Sequence, residues 1–190
     1  MNTKQNLTRQ VAIAAILLAL CIASQFLKNL SVYITGPIIN LCLILATLTA
    51  GLLWGIVLAI ITPVTSFLIT ASPIMGAVPG IIPLIMLGNA VLVVLVYFLF
   101  KPSISGGKSL LSIHSILMAI LCCLAKGLVM GATISLWLLP TFIPEASPMR
   151  GKMAVLQTTF SLTQVITAIM GFVYFYVIWK PLAKMLSTQE

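Results

Sequence analysis

Carboxylates are almost missing from this sequence. Glu145 and Glu190 are its only acidic residues among 190, so no carboxylate pair is available for general acid and base work. Histidine is nearly as scarce: His114 stands alone, with no second histidine and no acid beside it, and no metal site or nucleophile–base pair can be read from it. The four cysteines, Cys21, Cys42, Cys122 and Cys123, lie inside apolar runs without a CxxC spacing, where a thiol behaves as a small buried hydrophobe. A P-loop of the form GxxxxGKS or GxxxxGKT is absent, which excludes nucleotide hydrolysis by that route. These gaps predict no catalytic residues, no metal and no cofactor.

The net charge is +8, yet the ten basic residues are scattered singly at the edges of apolar runs and form no patch, so nucleic acid is not expected as a partner. What fills the sequence is hydrocarbon: 61% of residues are hydrophobic, 6% are charged and the mean hydropathy is +1.22, far from the roughly one-quarter charged make-up of soluble domains. About 20 apolar residues cross the ~30 Å hydrocarbon core of a bilayer. Residues 1–190 therefore read as a single all-α membrane domain of six transmembrane helices.

The first span is predicted over 11–27. Lys4 and Arg9 precede it as they would a signal peptide, but no small-x-small cleavage site follows, and it is taken as a retained helix. Residues 37–70 form one apolar stretch that as a single helix would be about 50 Å long, so it must fold back. The Gly-Leu-Leu-Trp-Gly segment at 51–55 is the expected turn, with Pro63 as a kink in the third span. Breakers crowd 71–80, a loop expected to lie against the protein. The fourth span is expected over 81–100, stopping at Lys101-Pro102, with a solvated Gly106-Gly107 loop after it. The fifth is expected over 111–139, then a proline-rich external loop or lid at 140–151, and the sixth over 152–179, stopping at Lys180-Pro181.

Basic residues favour the cytoplasmic side of a membrane. Lys4, Arg9, Lys101, Lys108, Lys180 and Lys184 fall on one side, against Lys28, Arg150 and Lys152 on the other. The richer side is read as cytoplasmic, which places both termini there and the loops at 28–36, 71–80 and 140–151 outside.

The remaining basic residue, Lys126, lies within the fifth span, and no span offers an acid to pair with it. A lysine at a helix centre costs ~2.5 to 3.5 kcal/mol by insertion scales and usually faces a cavity, a partner or a pathway. A snorkelling lysine, or one held by carbonyls, is the structural alternative. By rise per residue Lys126 is about 22 Å along its helix, past the midplane on the outer side. Asn89 and Gln164 fall at comparable depth, about 12 Å and about 18 Å from the outer ends of their spans; Asn40 is shallower. Lys126, Met130, Thr133 and Trp137 share one helical face by spacing, and Gln157, Ser161, Gln164, Ala168 and Gly171 repeat the pattern in the sixth span. Two polar or small stripes above the midplane suit a cavity open to the outside; ordinary packing between spans is the alternative. In the first span Ala15, Ala19 and Ala23 recur every four residues, a ridge that lets another helix come close.

Taken together, the six-span layout, the alanine ridge, the Ala50-Gly51-Leu52-Leu53-Trp54-Gly55 turn, Asn89 and the polar sixth span resemble the substrate-binding S components of energy-coupling factor (ECF) transporters, bacterial membrane proteins that capture vitamins. The resemblance implies a multi-pass protein of the bacterial cytoplasmic membrane that captures a vitamin-like molecule from outside and delivers it by toppling. Its implied partners are membrane lipid, a transmembrane coupling (T) component and two ATP-binding subunits. Ala15, Ala19 and Ala23 would then dock the T component; Lys126, Asn89, Gln164, Asn40 and Thr133 would contact ligand, with Trp137 and the 140–151 loop as cover. A charged Lys126 favours an anionic vitamin, pantothenate-like first, with biotin, lipoate, nicotinate or a folate also qualifying. Riboflavin and other neutral ligands fit if burial leaves the amine uncharged. A standalone secondary transporter or channel is the rival reading and predicts internal repeats or matched broken helices in two halves.

Overall fold

An unpaired backbone N–H or C=O in hydrocarbon costs several kcal/mol, so a chain of this hydropathy must satisfy its backbone within its own segments. The regular elements are accordingly helical throughout the described residues. The computed structural model describes residues 3–28, 31–105 and 110–187, with side chains over 7–28, 31–105 and 110–181. Asn29, Gly106, Gly107, Lys108 and Glu190 lie outside the described residues, as do the side chains of Lys4 and Lys184.

The chain forms α1 (Thr3–Gln25), α2 (Val32–Thr49), α3 (Leu52–Thr70), the short α4 (Pro73–Ala77), α5 (Ile81–Ile104), α6 (Ile113–Phe142), α7 (Met153–Phe160) and α8 (Leu162–Ser187). Six helices are long and apolar enough to cross a membrane, α7 and α8 together making the sixth. Large apolar side chains such as Leu68, Leu128, Leu136 and Val177 point outward from the bundle, the arrangement expected where lipid is the solvent. Ser31 and Ser112 cap α2 and α6, accepting from the N–H groups of Tyr33 and Ser115 at 3.1 and 3.2 Å.

The fold-back expected at 51–55 occurs, but it is tighter. Ala50 and Gly51 alone make the turn, with Gly51 at φ +102°, a conformation that L side chains rarely adopt. Trp54 and Gly55 already belong to α3, where a Cβ on Gly55 would strike Thr47 of α2 and Val93 of α5.

Three prolines do not end helices where the sequence predicts. α5 continues through Pro102 to Ile104 and α6 through Pro140 to Phe142, while α8 passes Pro181 to reach Ser187. In the first two a π-helical stretch stands just before the proline, Val96–Phe100 in α5 and Gly131–Leu138 in α6. There the Lys101 and Leu139 N–H groups donate five residues back, to Val96 and Ile134. The helix has already left the i→i−4 pattern that a proline breaks. The opposite surprise is in the sixth span, expected as one helix over 152–179: it is interrupted at Ser161 (φ −120°, ψ −88°), and α8 restarts with Gln164 N–H donating to Ser161 O at 3.1 Å.

Two apolar clusters fill the bundle. One contains Leu43, Leu92, Phe100, Cys122, Ala168 and Phe175; the other, toward the 71–80 connection, contains Met75, Ile81, Met130, Ile134 and Phe160. Asn89 and Lys126 fall between the two sets on α5 and α6, and Gln164 falls between Phe160 of α7 in the second set and Ala168 of α8 in the first, so the polar residues occupy the seam. Glycines bring the helices close there: a Cβ on Gly171 of α8 would lie 2.8 Å from the Asn40 Cβ and 3.2 Å from the Pro37 carbonyl oxygen, and one on Gly88 or Gly127 would strike Met130 or Val165.

Gly171→Leu is therefore expected to destabilise the detergent-solubilised protein by about 1–3 kcal/mol, the usual cost of overpacking. Gly151→Leu, where nothing lies within 4 Å, serves as control. Equal thermal unfolding curves for the two variants would show that α8 does not need this close approach.

Candidate functional site

A primary amine buried away from water needs acceptors, and here two helices supply them. Lys126 of α6 is 2% exposed, and its Nζ donates to the Asn40 Oδ1 of α2 at 2.6 Å and to the Asn89 Oδ1 of α5 at 2.8 Å. Asn40 in turn donates through Nδ2 to the Thr167 hydroxyl at 3.4 Å, and Thr167 donates to the Gln164 carbonyl at 3.3 Å, which ties in α8. When protonated, the amine carries three N–H donors. Two are used within the protein, and one remains.

The four residues Lys126, Asn40, Asn89 and Gln164 all stand on the wall of one cavity of about 240 Å³. That volume is slightly below the ~300–1,000 Å³ of most small-molecule pockets, so the cavity suits a compact ligand. Helical spacing builds the wall: Val32, Thr35, Gly36, Ile39 and Asn40 make one face of α2, Thr62, Pro63 and Ser66 one face of α3, and Lys126 and Met130 one face of α6. The Thr62 hydroxyl is buried on this wall without a hydrogen-bond partner among the described residues.

Thr133 and Trp137 are not brought to the cavity. Thr133 is half-buried with its hydroxyl on the Val129 carbonyl at 2.7 Å, and Trp137 is 57% exposed. The expected stripe assumed an unbroken α-helix. The π-helical stretch from Gly131 to Leu138 has a wider turn, so each residue advances through a smaller angle and the face beyond Met130 rotates away. The 140–151 segment is not the cover either. Arg150 donates to the Pro140 and Ile143 carbonyls at 3.2 Å each and lies 3.9 Å from Glu145, so this connection is folded onto the end of α6. Cover comes from Ser72, Ile74 and Met75 of the 71–80 connection and from Leu156 and Phe160 of α7. Gln157 holds α7 against the π-helical stretch, donating to the Ser135 carbonyl at 2.9 Å while the Ser135 hydroxyl donates to the Gln157 carbonyl at 2.8 Å.

Lys28 is the wall residue that sequence reasoning missed. Read as a boundary marker of the first span, it is half-buried on the cavity, donating through Nζ to the Ser66 hydroxyl at 2.6 Å, with the Met75 sulfur at 4.0 Å. Burial holds its pKa below the ordinary lysine value. The missed signal was Ser66, four residues after Thr62 on one α3 face. Among the described residues no carboxylate stands on the wall, and no three His, Cys, Asp or Glu side chains come together as metal ligands. On α1, Ala15, Ala19 and Ala23 are exposed while Ala14, Leu17 and Cys21 are buried, so the alanine ridge faces out of the bundle.

No family model, no curated protein and no solved structure matches this chain.

Removing one acceptor leaves a buried amine underpaired, whereas removing the amine relieves its neighbours of a charge. Asn89→Leu is expected to cost about 1–3 kcal/mol in stability, and adding Lys126→Met to it is expected to recover part of that loss. Losses that simply add in thermal unfolding of the two single variants and the double variant would mean that the pair is not energetically coupled.

Proposed function

We propose that this chain is the substrate-capturing S component of an ECF-type importer, taking up an anionic, vitamin-sized molecule from outside the cell. One observation carries the reading: Lys126 keeps a spare N–H at a cavity that contains no carboxylate. A bound oxyanion would complete the ammonium's third bond, a charge-assisted contact of ~1.5–3 kcal/mol. Among vitamins, a pantothenate-like carboxylate suits the cavity's compact volume, and a folate suits it least.

Sidedness supports the same reading. The cavity lies beneath Lys28, Ser72 and Met75, at the end to which the sequence assigns three basic residues against six, the end that the positive-inside rule puts outside. Both termini are then cytoplasmic. The outward alanine ridge of Ala15, Ala19 and Ala23 is free of the chain's own core and becomes the docking face for the T component, with ATP hydrolysis left to two partner subunits of the bacterial membrane complex.

The break at Ser161 favours a second reading, a standalone secondary transporter, since such proteins place discontinuous helices at their sites. That reading requires a matching break in the other half. Its positional counterpart α3 is continuous over Leu52–Thr70.

Mass spectrometry of ligand released from the purified protein is expected to find a carboxylate vitamin, and Lys126→Met to abolish its retention while the protein still inserts. Absence of any vitamin, together with no stabilisation by added vitamins, would refute the S-component reading. Ala19→Leu is expected to block uptake while ligand capture survives; transport undiminished by that bulk would remove the docking assignment.

A further inference from the structure

The cavity holds a second cation that the capture of a single carboxylate does not use. Lys28 Nζ spends one donor on the Ser66 hydroxyl at 2.6 Å, and its ammonium, like that of Lys126, has no carboxylate on the cavity wall to neutralise it. The two amines sit at different depths. Ser66 is four residues from the end of α3 at Thr70, about 6 Å by helical rise, and Asn89 is eight residues from the start of α5 at Ile81, about 12 Å. Both ends adjoin the 71–80 connection, so the Ser66 partner of the Lys28 amine stands about 6 Å nearer that end of the bundle than the Asn89 partner of the Lys126 amine. The rest of the wall is mostly apolar, with Ile85, Met130 and Phe160, and the Thr62 hydroxyl has no partner among the described residues.

Resting on the capture reading above, we propose that the ligand, in place of a single-carboxylate vitamin such as pantothenate, is a small molecule with two oxyanion groups at opposite ends of a short apolar body. Lys126 receives the inner group and Lys28 the outer one. Thr62, eight residues from the end of α3 and so level with Asn89, offers its hydroxyl to the inner group. A purely structural role explains Lys126 less well, because a well-packed apolar residue at that position is often as stable as a buried charge. It explains Lys28 less well still, since a lysine next to a bilayer surface can extend its amine into water and this one instead turns onto the cavity.

The test uses the full chain purified in detergent, with thermal unfolding read against the dicarboxylates from succinate to suberate and against hexanoate as a single-anion probe. Adipate or a neighbour in the series is expected to stabilise the protein at concentrations at least about tenfold below those needed for hexanoate, a difference of about 1.4 kcal/mol. Lys28→Met is expected to erase that preference and Lys28→Arg to keep it, which separates lost charge from lost folding. The proposal fails if hexanoate and the dicarboxylates act alike on the unaltered protein, if none of them acts, or if Lys28→Met retains the preference. Vitamin retention without a dicarboxylate preference removes the two-anion ligand and leaves the S-component reading in place. A dicarboxylate preference in a protein that retains no vitamin does the reverse.

Discussion

The structure turns on one buried amine. Lys126 sits between two apolar clusters, and its Nζ is held by the side-chain carbonyls of Asn40 and Asn89 from two other helices. A lysine in hydrocarbon that found no acceptors would cost several kcal/mol, so α2, α5 and α6 must approach closely enough for all three side chains to meet. The glycines at the seam follow from that demand. Gly88 and Gly127 are the chain neighbours of Asn89 and Lys126, and Gly171 packs on Asn40 itself. Small residues and polar residues are thus two parts of one packing solution, in which removing a side chain at 88, 127 or 171 lets a polar one be satisfied.

Departures from regular helix shape the cavity around this centre. The π-helical stretch in α6 turns Trp137 outward, and the interruption at Ser161 separates α7 from α8, so that α7 contributes Leu156 and Phe160 to the wall while α8 contributes Gln164. The reciprocal pair between Gln157 and Ser135 fastens these two irregular segments together. Irregular backbone is tolerated at membrane depth where it is buried in protein or lines a cavity, which is where both segments lie.

The six spans were legible because lipid imposes length and hydropathy on each, and the Gly51 turn because a 34-residue apolar stretch cannot cross once. Lys126, Asn89 and Gln164 were legible as polar residues of comparable depth, since depth along a helix follows from rise per residue, whereas Asn40, expected shallower, meets the same amine as Asn89 because α2 already begins at Val32 within the expected 28–36 loop. Angle around a helix was less secure. It held from Lys126 to Met130 and failed beyond, where the π-helical stretch changes the step for Thr133 and Trp137. Pro102, Pro140 and Pro181 misled as stop signals because a proline's effect depends on the hydrogen-bond pattern already set before it. Lys28 was hidden by its position at the end of a span, where a lysine ordinarily marks a boundary, and only the proximity of α3 reveals that its amine turns inward.

We propose that the Lys126 ammonium, cradled by two asparagines, waits for an anion. An experimental structure of the protein purified from its own cells, at a resolution that shows side-chain contacts, tests this directly. The claim predicts an oxyanion about 2.7–2.9 Å from Lys126 Nζ, with the Asn40 and Asn89 contacts retained. It is contradicted if the cavity contains a lipid acyl chain or no ligand at all while Lys126 is bonded only to protein.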